Sequence, residues 1–484
     1  MVAFRGTEVT AAVRELVADP RVAGVTLYRS LNVESAEQTR RLTDDLVAAA
    51  GRPLLIGVDQ EGGQLLGAGA DTTPFAGNMA LGATGDAELA RAVAQAMGSE
   101  LRALGINVDY GPVADVASRP GNPSLGIRAF GEAPALVAEM TAAMVRGLQA
   151  SGVAATIKHF PGKGEAVVDP HYELPVLDLD RARLDALEFV PFRAGIDAGA
   201  RLLMVGHYGL PAVIGDRITP SSVSPAVLGG LIRDELGFDG LILTDALDMG
   251  GFRGFAPDEP LQAGADLLLY GPAQAGLLPD RPLLAADRLV QLQAWVASFS
   301  QPSLEVVGCP DHRRLAEELA RRSLTQVRND EGLLPLRLPA DARLLAIMPQ
   351  PVDLTPADTS SLVAPGLAAA LRDRHRATSE LVVDHQPNER QIAQAVERAQ
   401  DHDVVVLGTI DAGDGQVALV AELQKLEKPL VVVALRTPYD LARFPTVRTY
   451  LCTYGIHPPS LRALAGAIFG DLKMTGRLPV TIPA

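Results

Sequence analysis

Three segments decide the fold: Leu202-Leu-Met-Val-Gly-His207, Pro225-Ala-Val-Leu-Gly-Gly-Leu-Ile-Arg-Asp-Glu-Leu236 and Gly240-Leu-Ile-Leu-Thr-Asp245. Two short apolar runs flank a longer amphipathic one, the pattern of a buried parallel strand, a crossover helix and a second parallel strand. Working outward, the same alternation fills residues 1 to about 300. Strands are predicted at Val2–Phe4, Val22–Tyr28, Pro53–Val58, Asn107–Val113, Val153–Lys158, Leu202–His207, Gly240–Thr244 and Asp266–Leu269, with a further helix at Asp86–Leu104. Eight strands separated by helices predict a (β/α)8 TIM-type barrel over residues 1–299.

The pattern breaks at Ser298–Pro302, and residues 300–310 read as a linker. Asp311–Ser323 then reads as an amphipathic helix and the alternation restarts. Strands at Leu344–Met348, Val404–Gly408, Leu430–Leu435 and Val447–Cys452, with helices at Glu389–Ala399 and Pro459–Ala467, predict a three-layer α/β sandwich domain over residues 311–484. Gly408, Gly413 and Gly415 fit neither spacing of a nucleotide-binding loop and read as ordinary turns.

At 484 residues the chain is too long for one ordinary core. It is 48% hydrophobic and 21% charged, the composition of a folded protein. A net charge of −15 would repel a polyphosphate, so no nucleic-acid partner is expected and a small neutral substrate fits better. Cys309 and Cys452 sit in no metal or redox motif and read as unpaired thiols of a reducing compartment. No apolar run is long enough for a membrane span, and the first residues lack a leader pattern, so a cytoplasmic address is the expectation. No metal ion and no cofactor is expected, because the His and acidic residues lack ligand spacing. Oligomeric state is not legible.

In a barrel of this type the chemistry sits at the C-terminal ends of the strands. Four predicted strands end in polar groups: Asp59-Gln-Glu61, Lys158-His159, His207 and Thr244-Asp245. One such residue alone is commonly a helix cap or a satisfied structural group. Four converging on one mouth make a functional site the better reading.

The words around these residues carry a resemblance. Val58-Asp-Gln-Glu-Gly-Gly63, Met79-Ala-Leu-Gly-Ala-Thr84, Gly111-Pro-Val-Ala-Asp-Val116, Lys158-His-Phe-Pro-Gly162 and Leu236-Gly-Phe-Asp-Gly240 resemble glycoside hydrolase family 3. The likeness continues through Ser323-Leu-Thr-Gln-Val-Arg-Asn-Asp330, Gly332-Leu-Leu-Pro-Leu336 and Gly476-Arg-Leu-Pro-Val-Thr-Ile-Pro483, which look like the α/β domain that follows the barrel in many members. Asp169-Pro170-His171 resembles the Asp-x-His loop of the family's β-N-acetylglucosaminidase branch, where the His is the acid/base. The second domain is then expected to be mainly structural.

The resemblance implies a retaining enzyme with Asp245 as nucleophile, although Asp248 is a local rival that reads more readily as a helix cap. An imidazole with an ordinary pKa of about 6.5 can give and take back a proton near neutrality. Asp169 is placed to fix the tautomer of His171 and to stabilise its protonated form. Asp59, Arg128, Lys158 and His159 are implied as groups that hydrogen-bond sugar hydroxyls, with His207 as a further candidate.

The implied partner is a small carbohydrate: terminal N-acetyl-β-glucosaminyl residues of peptidoglycan or chitooligosaccharide fragments. Alternatives are a β-glucosidase, a β-N-acetylglucosaminide phosphorylase that uses phosphate in place of water, and a catalytically silent sugar-binding protein. The chain departs from the branch at Pro161-Gly-Lys-Gly-Glu-Ala166, where the branch reads Pro-Gly-His-Gly-Asp-Thr. It also lacks the basic residues that often follow Asp-Gln-Glu-Gly-Gly, continuing instead as Gln64-Leu-Leu-Gly-Ala-Gly69.

Overall fold

A computed structural model describes residues 1–279 and 286–483. The N-terminal half is built on seven parallel strands, in order Gly24–Thr26, Leu55–Val58, Val108–Asp109, Ala154–Phe160, Leu202–Val205, Leu241–Ala246 and Leu267–Leu269. The predicted first strand, Val2–Phe4, is reduced to one bridge between Val2 and Val25. That segment still closes the barrel, because the Tyr270 amide donates to the Met1 carbonyl while Val2 pairs with the opposite edge.

Alternation along the strands explains which residues reach the mouth. Leu55, Ala154, Leu202, Met204, Leu241, Leu243, Leu267 and Leu269 meet in one buried cluster inside the barrel. Ile56, Val58, Ile157, Leu203, Val205 and Ile242 face outward to the helices. Counting by twos from the inward residues leads to Asp59, Lys158 and Asp245, so all three share the interior face at the mouth. The helix predicted at Asp86–Leu104 spans Ala87–Ala103, with Asp86 accepting from the Leu89 amide as its N-cap. The one predicted at Pro225–Leu236 runs from Ala226 to Glu235 with π-helical bonding.

The second half is a six-stranded mixed sheet, ordered Thr325–Asn329, Thr449–Cys452, Leu430–Ala434, Val404–Thr409, Leu344–Pro349, Thr378–Val383. All neighbours are parallel except the antiparallel edge strand Thr325–Asn329. Along the strand Leu344–Pro349, Leu344, Ala346 and Met348 pack against the helices Leu367–Arg372 and Pro458–Ile468. Leu345 and Ile347 join the opposite layer, which includes Ala395, Ala399 and Leu419. This is the three-layer arrangement expected, with two edge strands added. The helix Pro310–Ser323 packs against both Asn78–Thr84 and Pro458–Ile468 and so ties the halves together. Cys309 and Cys452 are both free thiols.

Candidate active site

A cavity of about 520 Å³ opens at the C-terminal ends of the barrel strands. Its lining includes Asp59, Arg128, Lys158, His159, His171 and Asp245. Six of the eight expected site residues therefore share one space of the size that holds a sugar. Asp169 supports it from behind, through His171.

One wall is a network of buried charge. Lys158 Nζ donates to Asp59 Oδ1 and to Glu61 Oε1, both at 2.6 Å. Arg128 grips Glu61 through Nη2 and Nε, each at 2.8 Å. Burial alone would push the Glu61 carboxyl up, but the Arg128 and Lys158 cations outweigh it and hold the group well below its ordinary value. Glu61 is thus the anion that keeps two buried cations in place, leaving the partly exposed Asp59 carboxylate facing the cavity. Glu61 sits inside the Asp-Gln-Glu-Gly-Gly word at a polar strand end, but the sequence does not show its pairing with Arg128 and Lys158.

His159 Nδ1–H donates to Asp115 Oδ2 at 2.8 Å, and its Nε2 faces Arg128 Nη2 at 3.3 Å. Burial, reinforced by the Lys163, Arg128 and Lys158 charges, holds this imidazole well below its ordinary value, so it is neutral. A neutral ring with its proton on Nδ1 satisfies both contacts. Asp115 also accepts from the His159 and Lys163 amides, which makes it the anchor of the whole turn after the strand Ala154–Phe160.

His171 Nδ1 lies 2.6 Å from Asp169 Oδ1, and the same oxygen accepts from the His171 amide at 3.0 Å. Burial pushes the Asp169 carboxyl up, and the His171 hydrogen bond and charge bring it below its ordinary value. This loop is docked on the turn after the Asp245 strand. The Gly250 amide donates to the His171 carbonyl and the Gly251 amide to the Pro170 carbonyl, each at 2.9 Å. A Cβ on Gly250 would lie 2.0 Å from the Tyr172 carbonyl oxygen, so only glycine permits this approach.

Asp245 Oδ1 accepts from the Ala246 amide at 2.8 Å. Its rival Asp248 also borders the cavity, but its Oδ2 accepts from the Ala273 amide at 2.8 Å and its carboxylate packs on Gly271. Asp248 therefore caps the short turn Pro272–Gln274. His207 differs from the expectation that it contacts substrate. It is fully buried outside the cavity lining, with Nε2–H donating to the Ala246 carbonyl at 3.1 Å and Nδ1 meeting Ser222 Oγ at 2.7 Å. Both nitrogens are spent on protein, so the ring braces the backbone after Asp245.

The sequence reading also missed the second domain's share. Asp353, Ala357, Thr359 and Ser361, which follow the strand Leu344–Pro349, line the same cavity as Arg29 and Tyr28. Among the described residues no helix is long and apolar enough to cross a membrane.

A barrel whose mouth gathers two separate carboxylates, an Asp–His pair and a polar grip is the site of a carbohydrate-active enzyme. The comparisons agree: residues 1–285 match the glycosyl hydrolase family 3 N terminal domain and residues 325–484 the glycosyl hydrolase family 3 C-terminal domain. The chain belongs to glycoside hydrolase family 3 and is a glycoside hydrolase. It is 30% identical to a β-hexosaminidase A of Pseudoalteromonas piscicida, over 97% of this chain and 90% of that protein. It is 32% identical to a β-N-acetylglucosaminidase/β-glucosidase of Cellulomonas fimi, over 95% and 88% of the two chains. The solved structure of a family 3 β-N-acetylglucosaminidase from Paenibacillus sp. str. FPU-7 superposes with a TM-score of 0.90 at 32% identity, covering 99% of this chain and 97% of that one.

Proposed function

We propose that this chain is a retaining β-N-acetylglucosaminidase of the β-hexosaminidase type. It would remove terminal N-acetyl-β-glucosaminyl residues, from peptidoglycan or chitooligosaccharide fragments, in the cytoplasm. The observation that carries the reading is the Asp169–His171 pair, 2.6 Å apart and docked beside the same cavity that Asp245 borders. The names of the relatives point the same way.

In the proposed reaction the Asp245 carboxylate attacks the anomeric carbon while protonated His171 gives its Nε2 proton to the departing glycosidic oxygen. The C–O bond to the aglycone breaks and a glycosyl ester of Asp245 forms. Neutral His171 then takes a proton from water, whose oxygen attacks the same carbon and releases the Asp245 carboxylate. Two inversions give net retention. Asp169 holds the ring with Nε2 toward the cavity and stabilises its cationic form. Asp59, Arg128, Lys158 and His159 hold the sugar hydroxyls.

The test is turnover of para-nitrophenyl N-acetyl-β-glucosaminide beside the β-glucoside, with and without phosphate. Wild type, Asp245→Asn and His171→Ala would be compared. Preferred release from the N-acetyl sugar, collapsing in both variants, supports the proposal. A wild type inert on the N-acetyl sugar but active on the glucoside sinks the substrate assignment, and a sugar 1-phosphate product formed only with phosphate replaces hydrolysis by phosphorolysis.

A further inference from the structure

Lys163 is the residue at which the chain leaves the branch's Pro-Gly-His-Gly pattern, and the structure places it in the lining of the catalytic cavity. Only 1% of it is exposed. Its backbone is clamped on both sides: the amide donates to Asp115 Oδ1 at 2.9 Å, and the carbonyl accepts from Asn122 Nδ2 at 2.8 Å. Gly164 fixes the turn further, since a Cβ there would lie 2.0 Å from the Val116 carbonyl oxygen. The backbone that carries the Lys163 side chain is thus fixed. Yet its ammonium makes no hydrogen bond or ion pair with a described residue, while Lys158 and Arg128 beside it are both tied to Glu61.

A buried ammonium without an acceptor is costly, and proteins keep one where a ligand supplies the acceptor. Burial and the neighbouring Arg128 push Lys163 down from its ordinary value, while Asp115 and Asp245 pull it back up. Its charge is also felt by Asp169. Lys163 shares the cavity lining with both Asp245 and His171.

We propose that Lys163 is a specificity residue that donates a hydrogen bond to the acceptor oxygen on C2 of the bound sugar, the acetamido carbonyl in the preferred substrate. This rests on the glycosidase reading above. The carbon at Asp245 is C1, whose ring neighbours are the ring oxygen and C2. Positive charge develops on C1 and the ring oxygen in the transition state, so a fixed cation beside that oxygen would raise the barrier. A cation beside C2 meets a neutral acceptor. Arg29, Asp248 and Asp353 line the same cavity and reach solvent, so an aglycone, or a phosphate replacing it, meets that side, whereas Lys163 is buried in the wall.

The experiment compares aryl glycosides with one leaving group and three C2 substituents: acetamido, hydroxyl and hydrogen. Lys163→Met keeps the length without the charge, and Lys163→His restores the branch residue. In Lys163→Met the kcat/KM ratio of the acetamido to the 2-deoxy substrate is expected to fall about 10- to 100-fold, the worth of a charged hydrogen bond. Lys163→His recovers part of it. An unchanged ratio, or an equal loss on all three substrates in a variant that melts like wild type, overturns the inference. If Lys163→Met fails to fold, the ratio in Lys163→His decides: a shift below wild type supports the assignment and no shift overturns it. If wild type prefers the glucoside, the substrate assignment fails alone, and the hydroxyl-to-hydrogen ratio still decides the role of Lys163. Should no glycoside turn over, calorimetric affinities for N-acetylglucosamine and 2-deoxyglucose give the same ratio.

Discussion

Asp169→Asn isolates what the acid/base pair contributes. The wild-type contact is 2.6 Å, and the Asp169 side chain is 6% exposed, so the anion acts on the ring with little solvent between. Losing a hydrogen bond to a charged group costs about 1.5–3 kcal/mol, or roughly 10- to 150-fold in rate. A second penalty follows if the new amide turns its NH2 toward Nδ1. The ring proton then moves to Nε2 and the base is lost, as in a triad whose Asp becomes Asn, where the loss reaches about 10,000-fold. We expect kcat to fall between about 10- and 10,000-fold with KM nearly unchanged. Leaving groups supply the discriminating assay. A dinitrophenolate departs without a proton, so the first chemical step with that substrate should be nearly intact and the glycosyl ester should accumulate as a burst. With para-nitrophenol or a sugar as leaving group the first step itself should slow. Equal losses across leaving groups, with no burst, would refute the role given to Asp169 and leave it as a loop anchor only.

Three further outcomes follow from the same geometry. Glu61→Gln leaves Arg128 and Lys158 buried without their shared anion, and should cost about 3–5 kcal/mol in chemical denaturation. The folded carboxyl is held below its ordinary 4.5, so its contribution is fully present above that value and is lost as pH falls through the folded one. The stability gap between wild type and Glu61→Gln should therefore be flat from pH 7 to about 5 and narrow only in stronger acid. Gly250→Ala should undock the Asp169–Tyr172 loop and lower kcat about 100-fold, with a melting temperature close to wild type, because the clash is with that loop's backbone. His207→Ala should lower kcat and leave KM nearly unchanged, since the ring braces Ala246 and touches no sugar; a rise in KM with kcat intact would restore it to the binding set.

The parts of the fold that were legible are those with one repeating environment. Inner barrel strands and central strands of the second sheet are buried on both faces and read as unbroken apolar runs. The strand Thr378–Val383 escaped because it lies at an edge, where Glu380 and Val382 are exposed and interrupt the run. Thr325–Asn329 escaped for the same reason, with Gln326 exposed. At the site, Asp59, Lys158 and Asp245 were visible because a polar residue ending an apolar strand is a local signal. The roles of Glu61 and Asp115 were not, for they hold partners 67 and 44 residues away. That pairing exists only once the barrel has closed. His207 shows the converse failure: it has the local signal, but Ser222 and Ala246 consume both nitrogens.

The second domain was expected to be mainly structural, and its contacts define what that means here. Its sheet runs in the order second, first, third, fourth, fifth parallel strand, so a crevice opens at the carboxyl ends of the strands Leu344–Pro349 and Val404–Thr409. The chain leaving the first of these stays tied to its own domain through Asp358 Oδ2, which accepts from Arg436 Nη1 at 2.8 Å. It crosses to the barrel, where the Thr359 amide and hydroxyl both donate to the Gln64 carbonyl, at 2.8 and 3.0 Å, and the Leu66 amide donates to Thr359 Oγ1 at 3.2 Å. Gln64 Nε2 donates to the Ala357 carbonyl at 3.1 Å, and His457 Nε2–H to the Gly63 carbonyl at 2.8 Å. Every one of these bonds falls on the hairpin Gln60–Leu66, the element that carries Glu61 and follows directly on Asp59. The domain supplies no proton donor to the proposed reaction. It clamps the short hairpin that fixes the anion beneath Lys158 and Arg128. A two-stranded hairpin is marginal by itself, so the sugar grip of the barrel depends on a partner fold that begins more than two hundred residues further along the chain.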